Sequence, residues 1–449
     1  MNPYSIPGAT LVLALTLGIS IRAIGVESSR SATTGETPAG GDVLGRGNSP
    51  ANAGEWTRFR GPNGAGVSEA TTIPVEFTEK DFNWKVALPA TGHSSPVLWG
   101  DRIFLTGSDD RQGGLTVFSV AVADGRLLWQ TNFPFSAYSR HKFNSYASAT
   151  PVVDAERVYV SWATPEHNRL AAFDHQGTVV WQRDFGPYAS QHGSGVSPIV
   201  WKDLVILPNE QDGISSLLAV DRQSGKTVWS TQRNSVVAAY STPCLFEPAH
   251  GPAQIIFSSQ AHGISGVDPA SGQVLWEYAN AFDKRSVSSP VVVSGLVIGS
   301  CGSGGGGNYV VAVNPGDPSK NQPATLAWEM RKSANYVPTP VTLGDLLFTW
   351  SDGGVVSCID GATGVVKWQE RAGGNFFGSP IRIGDKLYGV TTSGVVVVVR
   401  ASEKFEVLGR STLGELTHST PAVAGGRLYV RTERHLVSVG GEASPKTVN

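Results

Sequence analysis

A short hairpin signature recurs along this chain, and that recurrence restricts the fold more than any single motif does. Its clearest copy is Leu217 to Trp229, LLAVDRQSGKTVW. Leu217, Leu218 and Val220 are strand residues. Asp221 and Ser224-Gly225 carry turn chemistry, because Asp can bond its own backbone and Gly takes positive φ without strain. Lys226 to Val228 restart a strand that ends in Trp229, a large apolar group that needs a pocket. The Gly-x-x-x-Trp spacing occurs five times, at Gly125/Trp129, Gly177/Trp181, Gly225/Trp229, Gly272/Trp276 and Gly364/Trp368. Self-similarity at a period of about 40–55 residues predicts an array of repeated β units.

A second mark recurs beside the first. A small hydroxyl residue and a proline open an apolar strand at Ser95-Pro96, Thr150-Pro151, Ser197-Pro198, Thr242-Pro243, Ser289-Pro290, Thr339-Pro340, Ser379-Pro380 and Thr420-Pro421. Proline is tolerated at the first residue of a strand, where no ladder donor is required. A turn and a second strand follow, as at Arg102–Leu105, Arg157–Val160, Lys386–Gly389 and Arg427–Val430. Each unit therefore supplies four strands, and eight openings predict eight blades. Closing strands carry Trp129, Trp181, Trp229, Trp276, Trp328 and Trp368; the seventh unit has Leu408 at the matching place, and the eighth runs out at Val439-Gly440. The missing strand is Phe82–Val86, because Trp84 precedes Pro96 by 12 residues (96 − 84), as Trp328 precedes Pro340 (340 − 328). The expectation is an all-β, eight-bladed β-propeller of four-stranded antiparallel blades over 81–441, closed by an N-terminal strand. Such closure removes open sheet edges. Trp84 and the six other tryptophans, each present once per blade, are expected to dock blades. No helical pattern of useful length occurs past the first residues.

The ends differ from the body. Ala9 to Ile21 is an apolar run of 13 residues, short for a membrane span and suited to a signal-peptide core. Residues 1–25 are accordingly expected to be a signal peptide, although Met1 to Gly8 contains no Lys or Arg. The alternative is an uncleaved anchor or an extra strand. The protein is then exported, to the periplasm or outer envelope, with no stable membrane span after cleavage. No cysteine near the end of the run offers a lipid-attachment site. Residues 26–54 have the composition of a disordered linker, and 442–449 form a tail. Residues 55–80 form a leader whose WTRFRGPNGAGVS segment (56–68) lacks the Gly-Lys-Ser/Thr of a phosphate loop. Its aromatics are expected to pack on the body.

The formal charge of −2 gives no reason to expect nucleic acid. Cys244, Cys301 and Cys358 are too few and too far apart for a disulfide framework or a zinc site, and read as buried free thiols. Candidate site residues come from the blade openings. Three places before each proline stand His93, Ser148, Gly195, Tyr240, Val287, Val337, Phe377 and His418. His93 and His418 would face each other on adjacent blades, where two imidazoles could share a metal or a proton. No acidic residue shares that ring, so no catalytic set and no metal site is assigned. The loop Tyr138 to Tyr146 is the densest polar-aromatic cluster, with Arg140, His141, Lys142, Asn144 and Tyr146. With His192, Arg285, Tyr336 and Phe376 it is expected to form a ligand- or peptide-binding mouth, since Tyr and Arg dominate recognition surfaces.

The Ser/Thr-Pro openings, the Leu-x-Ala-x-Asp-x-x-Ser/Thr-Gly-x-x-x-Trp hairpins and the eightfold count resemble the pyrroloquinoline-quinone (PQQ) repeat propellers, over about 82–441. The resemblance implies the fold and leaves two functions open, because such repeats serve both quinoprotein dehydrogenases and non-enzymatic scaffolds. The dehydrogenases carry a vicinal cysteine disulfide and a calcium-type ion beside the quinone; nothing here matches either. The scaffolds of the BamB type, which assemble outer-membrane proteins, are closer in size, but this chain lacks their lipid-attachment cysteine. The expected function is a monomeric, non-enzymatic scaffold for a protein or peptide partner in the envelope, without a cofactor. The alternative is a PQQ-dependent oxidoreductase that uses a divalent cation.

Overall fold

The computed structural model describes residues 55–441. The expected signal peptide, the 26–54 linker and the 442–449 tail lie outside the described residues. Within them the chain forms eight sheets, the blades of a propeller, each of four antiparallel strands, with a fifth, parallel strand of the leader added to one of them. Blade 1 consists of Val97–Trp99, Arg102–Asp109, Gly113–Ala121 and Leu127–Phe133. Blades 2 to 7 follow in chain order over 152–184, 199–235, 244–278, 291–330, 341–371 and 381–412. Blade 8 takes three strands from Ala422–Ala424, Arg427–Arg431 and His435–Gly440 and its outer strand from Phe82–Ala87, with Trp84 opposite Ser438. Among the described residues helix is confined to four 3₁₀ turns of three residues each.

The middle strands explain the valine-rich runs. A blade lies between two neighbours, so both faces of its second and third strands are covered. Val396 to Val399 are all buried, and alternation gives way to continuous apolar sequence, as expected for strands covered on both faces.

One device repeats in every blade. A bulge interrupts the ladder just before the tryptophan position, as between Ala219/Val220 and between Cys358/Ile359. A bulge adds one residue and re-aims the next side chain. The indole then leaves its own blade for the next one. A Cβ placed on Gly177 would come within 2.5 Å of the Trp129 ring, one on Gly225 within 2.7 Å of Trp181, and one on Gly364 within 2.7 Å of Trp328. The turn glycine of each signature thus leaves room for the tryptophan of the preceding blade. The indole N–H donates to a carbonyl beside that glycine: Trp129 to His175 O at 2.8 Å, Trp181 to Arg222 O at 3.0 Å and Trp229 to Pro269 O at 3.0 Å. Trp276 departs from the pattern and donates to Gln254 Oε1 of its own blade at 2.6 Å. Blade 5 has the proline-rich stretch 314–324 where the receiving turn would be.

Blade 7 corrects the sequence reading. Val398 pairs with Gly409, as Cys358 pairs with Trp368, so Gly409 and not Leu408 holds the tryptophan position. A Cβ there would strike Glu76 Cγ at 2.3 Å and Val75 O at 2.6 Å. The leader fills the place of the indole, and Phe77 N donates to Ser411 Oγ at 2.7 Å. The reason lies in blade 8, whose outer strand comes from the other end of the chain, so no hairpin turn exists to receive an indole.

The hydroxyl before each proline has a separate role. Ser95 N donates to Thr150 Oγ1 (2.9 Å), Thr150 N to Ser197 Oγ (3.0 Å), Thr242 N to Ser289 Oγ (3.1 Å) and Ser289 N to Thr339 Oγ1 (3.0 Å). Thr339 N continues to Ser379 Oγ (3.0 Å), Ser379 N to Thr420 Oγ1 (2.9 Å), and Thr420 N back to Ser95 Oγ (3.2 Å). This belt of backbone-to-hydroxyl bonds satisfies buried amides that proline-opened strands leave without a ladder partner.

Candidate functional site

The leader reaches the innermost strands at the axis. Trp56 exchanges backbone bonds with Leu98 of blade 1 (3.1 and 2.9 Å), and Thr57 O accepts from Val153 N of blade 2 at 2.8 Å. Asn63 uses its side-chain amide as a surrogate peptide, bonding Leu245 O at 2.8 Å and Leu245 N at 2.7 Å in blade 4. Val67–Ser68 then runs parallel to Ile381–Ile383 of blade 7. One segment therefore spans the channel floor. Trp56 and Phe77 of the leader are buried in a core cluster with residues of the blades and Phe59 is half-buried, and Arg58 (7% exposed) and Arg60 (0%) are buried as well. Arg58 donates to Pro243 O, and Arg60 Nη2 to Pro340 O at 2.6 Å. Burial lowers the Arg58 pKa to about 10 and that of Arg60 to about 9.

The opposite end is the mouth, built from connections between blades. The His93 and His418 rings lie 4.7 Å apart. Phe377 meets His418 edge-on at 5.0 Å, and Phe143 meets Phe377 at 5.3 Å. His141 lies 5.4 Å from Phe143 and 4.8 Å from His192. The Arg285 guanidinium is 5.9 Å from the Tyr240 ring and donates to Gln191 Oε1 at 3.3 Å. Seven of the twelve predicted binding residues (His93, His141, Lys142, His192, Tyr240, Arg285 and His418) thus join one rim, together with Phe143 and Phe377. Tyr336 reaches it next to Arg285, whose charge bears on its hydroxyl.

Other candidates prove to be supports. Asn144 donates to His192 O at 2.7 Å and Ser194 O at 3.0 Å and accepts from Ser145 N at 2.9 Å, so its amide fixes one connection against the next. Tyr146 is buried, and its hydroxyl donates to Tyr138 O at 2.6 Å and accepts from Tyr138 N at 2.9 Å. Arg140 is paired with Asp110 at 2.5 Å. Phe376 does not reach the mouth at all: it is 1% exposed and packs 5.0 Å from Trp350. Adjacent residues in extended backbone point to opposite sides, and Phe377 takes the outward place.

The electrostatics follow from burial. His93 is lowered to about 3 by desolvation first, then by His418, Arg431 and Arg140. His418 is lowered by desolvation, and His192 by desolvation and Arg285. All three imidazoles are therefore neutral at neutral pH. Two carboxylates missed by the sequence reading approach the rim from hairpins inside the blades. Asp212 accepts from Ala238 N (2.6 Å) and Gln191 N (3.1 Å), and Asp352 from Tyr336 N (2.8 Å) and Val337 N (3.2 Å). They serve as loop clamps. Their signal was a polar residue in a hairpin tip, which sequence cannot distinguish from ordinary turn chemistry. Among the described residues no group of three or more His, Cys, Asp or Glu has metal-holding geometry. A cavity of about 470 Å³ is lined by Tyr278, Phe282, Tyr309 and Arg331.

A family profile described as outer membrane protein assembly factor BamB matches residues 116–370 and 308–439, most of the chain. The chain belongs to this PQQ-repeat propeller family. No curated protein matches it. Among solved structures, BamB from Moraxella catarrhalis aligns with 18% identity and TM-score 0.54, covering 83% of this chain and 97% of that one. A quinohemoprotein alcohol dehydrogenase from Pseudomonas putida HK5 aligns with 12% identity and TM-score 0.58, covering 87% and 81%. The computationally designed protein Ika8 aligns with 9% identity and TM-score 0.55, covering 80% and 99%. At these identities the likenesses establish the propeller alone, because BamB, a dehydrogenase and a designed protein share it.

Proposed function

We propose that this BamB-type propeller is an exported, non-enzymatic scaffold that binds a protein or peptide partner of the cell envelope at the channel mouth. The observation that carries the reading is the division of labour there. Phe143 is 44% exposed, and His141 and Lys142 beside it are also exposed. The two carboxylates at the rim, Asp212 and Asp352, are spent on backbone amides. An exposed aromatic flanked by His, Lys and Arg on a rigid rim suits recognition.

The residues do not fit a quinone with its cation. The three cysteines are buried, free and on separate blades. The channel floor is occupied by Trp56, Arg58 and Arg60 of the chain itself.

A photo-crosslinking residue at position 143, in cells making the full chain, tests the proposal. The expected result is a discrete protein adduct absent when the probe is moved to Val365, an exposed residue in the turn before an outer strand. Equal labelling at both positions refutes the reading. So does reduction of an acceptor dye by the purified protein given PQQ, calcium and a panel of alcohols and sugars.

A further inference from the structure

The loop that carries Phe143 crosses the mouth of the ring. It belongs to the connection between blades 1 and 2, which at 134–151 is the longest between successive blades. His141 lies 4.8 Å from His192, in the connection before blade 3, and Phe143 lies 5.3 Å from Phe377, in the connection before blade 7. Those two connections are four blades apart in a ring of eight and face each other across the axis. His192, His141, Phe143 and Phe377 therefore form a bar of rings over the channel. Its two ends are held differently. At the His192 end, His141 N donates to His192 O at 3.2 Å, and the Asn144 amide reaches His192 O and Ser194 O. At the far end, no hydrogen bond among the described residues ties 141–143 to blade 7, blade 8 or the connections before them; the Phe143 amide turns back to His141 Nδ1 at 3.3 Å. There Phe143 meets Phe377 and, at 6.2 Å, His418 through its ring.

We propose that Phe377 and His418 form a seat for an aromatic side chain of the partner, which takes the place that Phe143 fills in this structure. The proposal rests on the reading of the mouth as a recognition surface. Phe143 shows what the seat accepts: a ring set edge-on to Phe377 (63°) and tilted against His418 (35°). The seat is itself built of rings, since His418 meets Phe377 at 89° and His93 stands behind His418 at 4.7 Å. Aromatic pairs in tilted and edge-on arrangements gain more than burial of area gives, whereas an aliphatic side chain gains the burial only. Desolvation lowers the pKa of both imidazoles, so the seat carries no charge at neutral pH that would select an acidic group instead. Phe143 is able to yield. It is 44% exposed, and turning about its own side-chain bonds frees the seat while the bonds at His192 hold the backbone.

The test uses the full chain, isotope-labelled at histidine Cε1, and the same chain carrying Phe143→Ala. Each is titrated with N-acetyl-L-tyrosinamide and followed by NMR, the His418 signal being identified by its loss in His418→Asn. In Phe143→Ala that signal is expected to shift and saturate, while the signal of the exposed His250 stays still. The native chain should show the same shift at about tenfold higher concentration, because Phe143 competes for the seat. The lack of a saturable shift in Phe143→Ala overturns the seat, and so does an equal shift with N-acetyl-L-leucinamide. Equal affinity of the two proteins overturns the displacement of Phe143. If the variant does not fold, the native chain decides: a saturable His418 shift supports the seat and its absence overturns it. The seat and the scaffold reading fail separately. A photo-adduct at position 143 with no response to the tyrosinamide removes the aromatic seat and leaves the scaffold, whereas saturable tyrosinamide binding without an adduct keeps the seat and removes the scaffold.

Discussion

The glycine-to-tryptophan contact between blades can be tested with a double-mutant cycle at Gly272 and Trp229. Gly272 has φ +73°, and a Cβ there would lie 2.5 Å from Trp229 Cε3 and 2.8 Å from Thr231 Oγ1. Gly272→Ala therefore carries two penalties. Left-handed backbone costs an alanine about 1–2 kcal/mol, and forcing the methyl into a packed indole costs about 1–3 kcal/mol, for a total of roughly 2–5 kcal/mol. Trp229→Ala alone empties a site that is 7% exposed and costs about 3–5 kcal/mol. In the double variant the indole is absent, and only the backbone penalty of the alanine and its close approach to Thr231 Oγ1 remain. The two changes should therefore fall short of additivity by about 1–3 kcal/mol, well outside the roughly 0.5 kcal/mol scatter of independent sites. Urea and thermal unfolding of the four proteins provide the measurement. For a chain of this length 1 kcal/mol corresponds to roughly 1 °C in melting temperature, so the denaturant midpoint is the more sensitive readout. Additivity within error would refute the claim that each turn glycine exists to receive the preceding tryptophan.

Further outcomes follow from the belt, the mouth and the closing strand. Thr339→Val keeps the shape but leaves the buried Ser289 amide without its acceptor; melting should register a loss of about 1–3 kcal/mol, and Thr339→Ser should recover most of it. His93 has a folded-state pKa lowered to about 3, so the unfolded chain binds the proton first. Its contribution to stability is complete above the ordinary histidine range and is lost as pH falls from about 6.5 towards 3. His93→Asn should flatten that acid limb in melting curves recorded against pH, and an unchanged limb would assign it to other groups. A chain that begins at Ala90 lacks the Phe82–Ala87 strand and the leader; it should melt well below the full chain, and an equal melting point would contradict their structural role.

The sequence by itself determined the repeat, the count of eight and the four-strand content of each blade. These features are local: a hairpin of about a dozen residues carries its own pleat, turn and bulge, so eight copies can be read without knowing how they meet. Tertiary structure decided what each repeated residue touches. Trp129 could be recognised as apolar and regular, but its partner Gly177 is set by the rotation that carries one blade onto the next. The hydroxyl of Thr339 resembled any small residue before proline until Ser289 of the neighbouring blade was placed against it. The bulge moved the tryptophan position of blade 7 from Leu408 to Gly409, a one-residue slip that spacing alone cannot resolve. Alternation of side chains likewise sent Phe376 into the core and Phe377 to the mouth. Arg58 and Arg60 were the least legible. Charged residues in a glycine-rich leader belong on the surface by composition, and only the assembled ring supplies the carbonyls of Pro243 and Pro340 that hold them inside it.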